Sequence, residues 1–174
     1  NHRPNSLNAG SLWGRPFYIL REAWNILNAI AEGKIESGDE KKLNALKGET
    51  MAVIALCQFD LTRCFGYPYT KDKGASLGAP LIDNLVGTYE NPPRSTVAQA
   101  YDFIIETLEE AVTLMSEEKN NGRMNKYAAR ALLARIYLYH DDNRKAFDLA
   151  DQLIKDADTS GSYALYPHEK YVAA

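Results

Sequence analysis

The 174-residue sequence contains only two cysteines, Cys57 and Cys64, and three histidines, His2, His140 and His168. If both cysteines lie on one helix they share a face, but they sit about 10 Å apart along it at 1.5 Å per residue. Bonded cysteine Cα atoms lie within about 7 Å, so the pair reads as two buried thiols. The histidines are scattered between the start, a hairpin and the end, and read as solvated turn residues with no shared metal site. Long apolar runs are also missing. The longest is Met51–Cys57, seven residues, far below the ~20 that a membrane-spanning helix needs. Neither sign of charge dominates: 20 Lys and Arg against 23 Asp and Glu give a net charge of -3, which offers no electrostatic reason to bind nucleic acid. There is no P-loop, Rossmann glycine triplet, paired-cysteine zinc pattern or His-Glu-x-x-His. Accordingly no catalytic residue, no metal and no cofactor is assigned.

What is present is helical periodicity. With 45% hydrophobic and 25% charged residues, the composition suits a folded domain, and a chain of this length buries roughly two-thirds of its unfolded surface. Five stretches repeat at helical spacing and almost nothing alternates like a strand, so the expected class is all-α. The first helix is expected over 16–31, with Pro16 in its opening turn, a stripe of Tyr18, Trp24, Leu27 and Ile30, and Gly33 ending it. Asp39 can cap a second helix reaching about Cys64. Its middle, Met51–Cys57, is apolar all round, which puts this helix through the centre of the domain. Thr96 and Gln99 stand at capping-box spacing before a third helix, with Val97, Tyr101, Ile104, Leu108, Ala111 and Met115 on one stripe and Asp102, Glu106, Glu109 and Glu110 on its wet face.

Asn125 can cap a fourth helix through Tyr139, and a fifth runs from 142 or 143 to about 157. The few residues around His140 and Asp141 between them force an antiparallel hairpin. Leu133, Ala134, Tyr137 and Ala146 fit the tetratricopeptide pattern, while Arg130 and Ala150 depart from it. Such hairpins stack, so the expected architecture is stacked antiparallel helix hairpins over 1–174. Arg123, Lys126 and Arg130 oppose the fourth helix's dipole and call for nearby acids, expected from the third helix. Asp60 and Arg63 are spaced for a partly buried ion pair at i and i+3.

One segment resists helix. Residues 65–94 carry Gly66, Gly74, Gly78 and Gly87 with Pro68, Pro80, Pro92 and Pro93, and a loop of this length in a compact domain either binds something or packs under another part. It also holds Tyr67, Tyr69 and Tyr89 beside Asp72, Asp83, Asn84 and Asn91. Flat rings beside carboxylate and carboxamide acceptors suit sugar rings, whose C–H faces stack on aromatics and whose hydroxyls donate hydrogen bonds. The candidate ligand contacts are Tyr67, Tyr69, Asp72, Tyr89 and Asn91; the alternative is that the tyrosines anchor the loop to the helices. Tyr163, Tyr166 and Tyr171 carry the same ambiguity, with Tyr163 and Leu165 suited to docking the chain as it leaves the fifth helix.

Three ordered blocks resemble a known family. "ALCQFDLTRCFGYP" places Phe59, Asp60, Leu61, Arg63, Phe65, Gly66 and Pro68 at that family's positions, "RSTVAQAYDFIIETLEEAVTLM" is similar to its Arg-x-Ser/Thr helix, and "GRMNKYAARALLARIYLYHDDNRKAFDLADQLI" to its Gly-Arg-x-x-Lys block. The family is the SusD/RagB outer-membrane nutrient-binding lipoproteins of Bacteroidetes. The resemblance runs from about Phe17 to Tyr166 and covers the helical, tetratricopeptide-like portion of a longer protein, so the chain reads as a SusD-type fragment. No lipoprotein cysteine stands in it, and no ligand residue is carried over from the family. The resemblance implies a surface-exposed, non-enzymatic subunit that captures an oligosaccharide, polysaccharide or other nutrient. That subunit would cap a SusC-like TonB-dependent transporter, held to the outer membrane by a lipid outside this chain. Two other functions remain open: a tetratricopeptide-type scaffold that docks the transporter without binding sugar, and an α-helical enzyme, which would need two acids of shifted pKa in a cleft.

Overall fold

The computed structural model describes residues 7–35, 38–87, 90–119 and 122–164, with side chains from residue 10. Among the described residues five α-helices follow in chain order: α1 (Leu7–Ala31), α2 (Glu40–Phe65), α3 (Val97–Leu114), α4 (Lys126–Tyr139) and α5 (Asn143–Ser160). The apolar run of α2 lies between two groups of side chains. Met51, Ala52, Ala55 and Phe59 pack with α3 and α4, whereas Ile54, Cys57 and Leu61 pack with Leu20 and Ala23 of α1. A helix without a polar side is stable only when neighbours cover it all round, and α1 and α3 do so. On α3 the six expected stripe positions, Val97 to Met115, are all buried. The Thr96–Gln99 capping box is formed in both directions, which satisfies two of the backbone donors left over at the helix start.

Two helices approach closely at Gly48. A Cβ there would lie 2.8 Å from Met115 Cγ and 2.9 Å from the Ala111 carbonyl oxygen, so α2 and α3 touch backbone to side chain where a side chain would hold them apart. Gly33, at φ +68, ends α1 as expected; only glycine takes this left-handed geometry at little cost.

The beginning of α1 differs from expectation. The helix starts at Leu7, with Pro16 inside it. Trp13 sets its ring edge-on to Phe17 at 5.0 Å and to Phe65, at the far end of α2, at 4.8 Å. That aromatic contact holds turns which the proline alone would not favour. The stripe is also rotated. Phe17, Leu20, Ala23, Trp24 and Leu27 face inward, while Tyr18 is 60% exposed with the Arg21 guanidinium 5.2 Å above its ring.

Cys57 is buried but Cys64 is exposed, so one of the two thiols expected to be buried stands at the surface. Burial, then the charge of Asp60, pushes the Cys57 thiol up to about 11. The Asp60–Arg63 pair forms at 2.8 Å, with the side chains 45% and 41% exposed, so it lies at the surface and contributes little to stability. Arg63 adds a cation–π contact to the rings of Phe59 and Tyr139, which ties the end of α4 to α2. The Tyr139 hydroxyl, ahead of Asp60, raises the pKa of this guanidinium.

Helices α4 and α5 form the expected antiparallel hairpin, with Asp141 at φ +69 in the turn and Ala146 buried. Tyr137 is buried and its hydroxyl donates to the Glu109 carboxylate of α3, while Asn125 caps α4 through the Ala128 N–H at 3.0 Å. The basic residues at the start of α4 take partners other than the α3 acids. Arg123 reaches Glu49 of α2 with an Nε–Oε2 distance of 2.9 Å, Lys126 reaches Glu117 at 3.9 Å, and Arg130 pairs with Asp156 of α5 at 2.6 Å. Two of the α3 acids are already engaged: Glu110 pairs with Lys47 and Glu109 accepts from Tyr137.

The guanidinium of Arg130, ahead of the Gln152 amide, holds the Asp156 carboxyl below the ordinary carboxylate range. A folded-state pKa below the unfolded one contributes stability that is present at neutral pH and lost as pH falls through the folded value. Asp156→Asn is therefore expected to lower the urea midpoint at pH 7 and to show a smaller further loss than the wild type on acidification to about pH 3. Equal losses in both proteins would refute a role for this pair in acid sensitivity.

Candidate functional site

The loop between α2 and α3 is fastened at both ends. Its first part makes a 3-10 turn, Tyr69–Lys71, and then passes through Lys73 and Gly74, both at positive φ. The carbonyls of Gly74 and Ser76 accept the N–H groups of Ala98 and Val97, each at 2.9 Å, so the loop caps the first turn of α3. A Cβ on Gly74 would lie 2.6 Å from the Ala98 nitrogen. Tyr69 meets Tyr101 edge-on at 5.7 Å and tilts against His140 at 4.3 Å. Burial pushes the Tyr101 phenol up to about 12. His140 is thus half-buried between rings, in contrast to the solvated turn residue expected. Asp72 accepts the Ser76 hydroxyl, and this bond foremost holds its carboxyl below the ordinary range. Tyr67 is exposed, with the Lys71 ammonium 3.0 Å from its ring centroid.

Two short strands, β1 (Leu77–Pro80) and β2 (Arg94–Thr96), then pair antiparallel, Leu77 opposite Thr96 and Pro80 opposite Arg94. They are too short for a period-two signal, which is why the sequence reads as loop there. The Arg94 guanidinium donates to the carbonyls of Gly78 at 2.7 Å and Leu77 at 2.8 Å. From below, the wholly buried Gln58 of α2 donates Nε2–H to the Pro80 carbonyl at 3.0 Å and accepts the Ile82 N–H at 3.3 Å. Trp24 of α1 donates its indole N–H to the Ile82 carbonyl at 3.1 Å.

Beyond these attachments the loop and the start of α3 border an open cleft of about 940 Å³. One wall is loop: Leu81, Asp83, Asn84, Val86, Glu90, Asn91, Pro92 and Pro93, leading into Arg94 and Ser95. The other is the start of α3: Gln99, Asp102, Phe103 and Glu106. Asn84 and Asn91 offer carboxamides that both donate and accept, and the exposed carboxylates of Asp83, Asp102 and Glu106 accept. Glu90 gives one oxygen to the Gly87 N–H at 2.9 Å. Apolar Leu81, Val86 and Phe103 lie among these polar groups, a mixture that can hold a polyhydroxylated ligand by hydroxyl and C–H contacts together.

Of the candidate residues, Asn91 lines this cleft, together with the accompanying acceptors Asp83 and Asn84. Tyr67, Tyr69 and Asp72 stand in the first part of the loop, outside the cleft lining, and Tyr89 lies outside the described residues. The contribution of α3 was missed. Asp102 and Glu106 read as a solvated face, and only the return of the loop over that face makes it a wall; the one signal in the sequence was the placing of Gln99, Asp102, Phe103 and Glu106 just past the helix start. A second, mainly apolar groove of about 680 Å³ lies between α4 and α5, with Tyr127, Ala131, Leu153, Ile154 and Tyr163 in its lining. There the Tyr163 ring meets Tyr127 edge-on at 5.7 Å and its hydroxyl accepts from Asn125 at 3.1 Å. Among the described residues no group of three or more His, Cys, Asp or Glu side chains could hold a metal ion, and no helix is long and apolar enough to cross a membrane.

A SusD-like family model described as "Starch-binding associating with outer membrane" matches residues 3–138. A SusD-like protein of Bacteroides ovatus is 25% identical over 131 residues, 75% of this chain and 22% of that one. Among solved structures, a SusD superfamily protein from Bacteroides vulgatus is 99% identical with a TM-score of 0.96, over 100% of this chain and 39% of that one. Another, from Bacteroides thetaiotaomicron, is 40% identical with a TM-score of 0.86, over 91% and 34%. The chain thus spans well under half the length of each of these relatives. With its five helices, its fastened loop and these matches, the chain belongs to the SusD-like family of starch-binding proteins that associate with the outer membrane.

Proposed function

We propose that this chain is part of a non-enzymatic glycan- or nutrient-binding subunit of a TonB-dependent uptake complex, surface-exposed at the outer membrane beside a SusC-like transporter, and that the cleft between the loop and α3 receives the saccharide. The cleft itself carries the reading: about 940 Å³ bounded by carboxamides, carboxylates and a half-buried aromatic. Asn91 and Asn84 act as two-way hydrogen-bonding partners for hydroxyls, and the uncovered part of the Phe103 ring takes C–H groups. Tyr67 and Tyr89 are proposed as further contacts along the loop. Tyr69 and Asp72 are proposed to act by holding the loop against α3 and the α4–α5 turn.

The test is a glycan array probed with the intact protein, followed by calorimetric titration of the best-binding oligosaccharide. Asn91→Ala and Asn84→Ala are each expected to weaken binding by roughly fivefold, the worth of about one net hydrogen bond, with no change in melting temperature. Unaltered affinity in both variants, or release of reducing sugar by the pure protein, would refute the reading.

A second reading draws on a different face. Leu138, Phe147 and Ile154 are large apolar side chains exposed on the α4–α5 hairpin, as on a scaffold surface that meets protein. Capture of a SusC-like transporter, together with tyrosine and tryptophan fluorescence unaltered by every glycan tried, would favour a docking role without sugar binding.

A further inference from the structure

The charges around the cleft are unequal. Asp83, Glu90, Asp102 and Glu106 line it, and among the described residues Arg94 is the one basic member of its lining. Arg94 is already engaged, since its Nε and Nη2 donate to the β1 carbonyls of Gly78 and Leu77. Among the described residues nothing comparable occupies Asp83, Asp102 or Glu106, and the last two lie one helical turn apart on the same row of α3.

We infer that the cleft selects its ligand by charge, accepting uncharged and amino-bearing saccharides and turning away those that carry uronate or sulfate groups. The inference rests on the cleft being the saccharide site. Two physical reasons lead to it. Ionised carboxylates only accept hydrogen bonds, so they match sugar hydroxyls and ammonium groups, which donate, and mismatch uronates and sulfates, which only accept. In addition, the screening length at physiological salt is about 8 Å, so an anion seated in the cleft remains within range of several carboxylates while the guanidinium is held against β1.

The array decides it when printed with neutral, amino, uronate and sulfated glycans and probed with the intact protein at about 0.15 M salt. Signal confined to neutral and amino glycans is the expected result. Signal on uronate or sulfated glycans as strong as on their neutral counterparts overturns the selectivity and leaves saccharide binding intact; a blank array overturns both. The double variant D102N/E106Q keeps the shape of the α3 wall and removes two charges. Titrated with the best neutral oligosaccharide and with the same oligomer oxidised to the uronate at C6, it is expected to bind the uronate roughly tenfold more tightly than the wild type does, a gain that shrinks as added salt screens the Asp102 and Glu106 charges of the wild type. No gain for the uronate overturns the assignment of selectivity to these residues.

Discussion

Gln58→Leu is expected to destabilise the protein by about 3 kcal/mol and to release residues 77–82 from α2. Gln58 has no exposed surface, and its amide is bonded at both ends, to the Pro80 carbonyl and the Ile82 N–H. Leucine fills a similar volume but leaves both backbone groups buried without partners, at about 1–3 kcal/mol each. The urea midpoint measures the loss, and hydrogen exchange at Gly78, Ala79 and Ile82 reports the release. Gln58→Glu gives a sharper contrast. Its protonated carboxyl reproduces the amide by donating to Pro80 and accepting from Ile82, whereas the carboxylate faces the Pro80 carbonyl in a buried site, which raises the folded-state pKa. The stability of this variant is then highest below the unfolded glutamate pKa of about 4.3 and falls as pH rises through the raised value. That is opposite in sign to the contribution of Asp156. A Gln58→Leu protein as stable as the wild type would mean that the loop is held elsewhere.

Gly48→Ala is expected to cost about 2–3 kcal/mol, although alanine is the better helix former. The added Cβ meets Met115 Cγ at 2.8 Å, the Ala111 carbonyl at 2.9 Å and Leu114 Cβ at 3.0 Å. One of these is backbone, so a rotamer change at Met115 does not clear the space and α2 and α3 must separate. Over-packing of this kind typically costs about 1–3 kcal/mol, and here the change lies where the principal helix pair makes contact. Gly14→Ala in α1 is the control. Nothing lies within 4 Å of the point its Cβ would occupy, so the usual gain of about 0.5–1 kcal/mol is expected there. Paired melting curves check both, and a neutral or stabilising Gly48→Ala would refute the close approach.

The sequence was informative where a signal is local and periodic. The α3 stripe, its capping box and the Asn125 cap depend on residues three or four apart, the central position of α2 on one unbroken apolar run, and all six stripe positions on α3 are buried. Expectation failed where a distant contact outweighed a local rule. Pro16 reads as a helix start, but Trp13 packing on Phe65, 52 positions along the chain, carries α1 back to Leu7. Arg123 and Arg130 called for acids, and the acids came from α2 and α5, which no local spacing identifies. Half the cleft was legible in the same sense. Asn91, Asp83 and Asn84 stood out by residue type, whereas Asp102 and Glu106 become a wall only through a chain reversal imposed by Gln58, Trp24 and Arg94.

These attachments have a consequence for how relatives can diverge. The chain is held at Ile82 by α1 and α2 and again at Arg94 by β1, and of the described residues between them Val86 packs on the core while Asp83, Asn84, Leu85 and Asn91 stand exposed. Doubling the length of an unconstrained loop adds only about 0.6 kcal/mol of closure entropy. Insertions, deletions and exchanged side chains there can reshape one wall of the recess while the helices beneath keep their packing, so its lining can change without a change of scaffold.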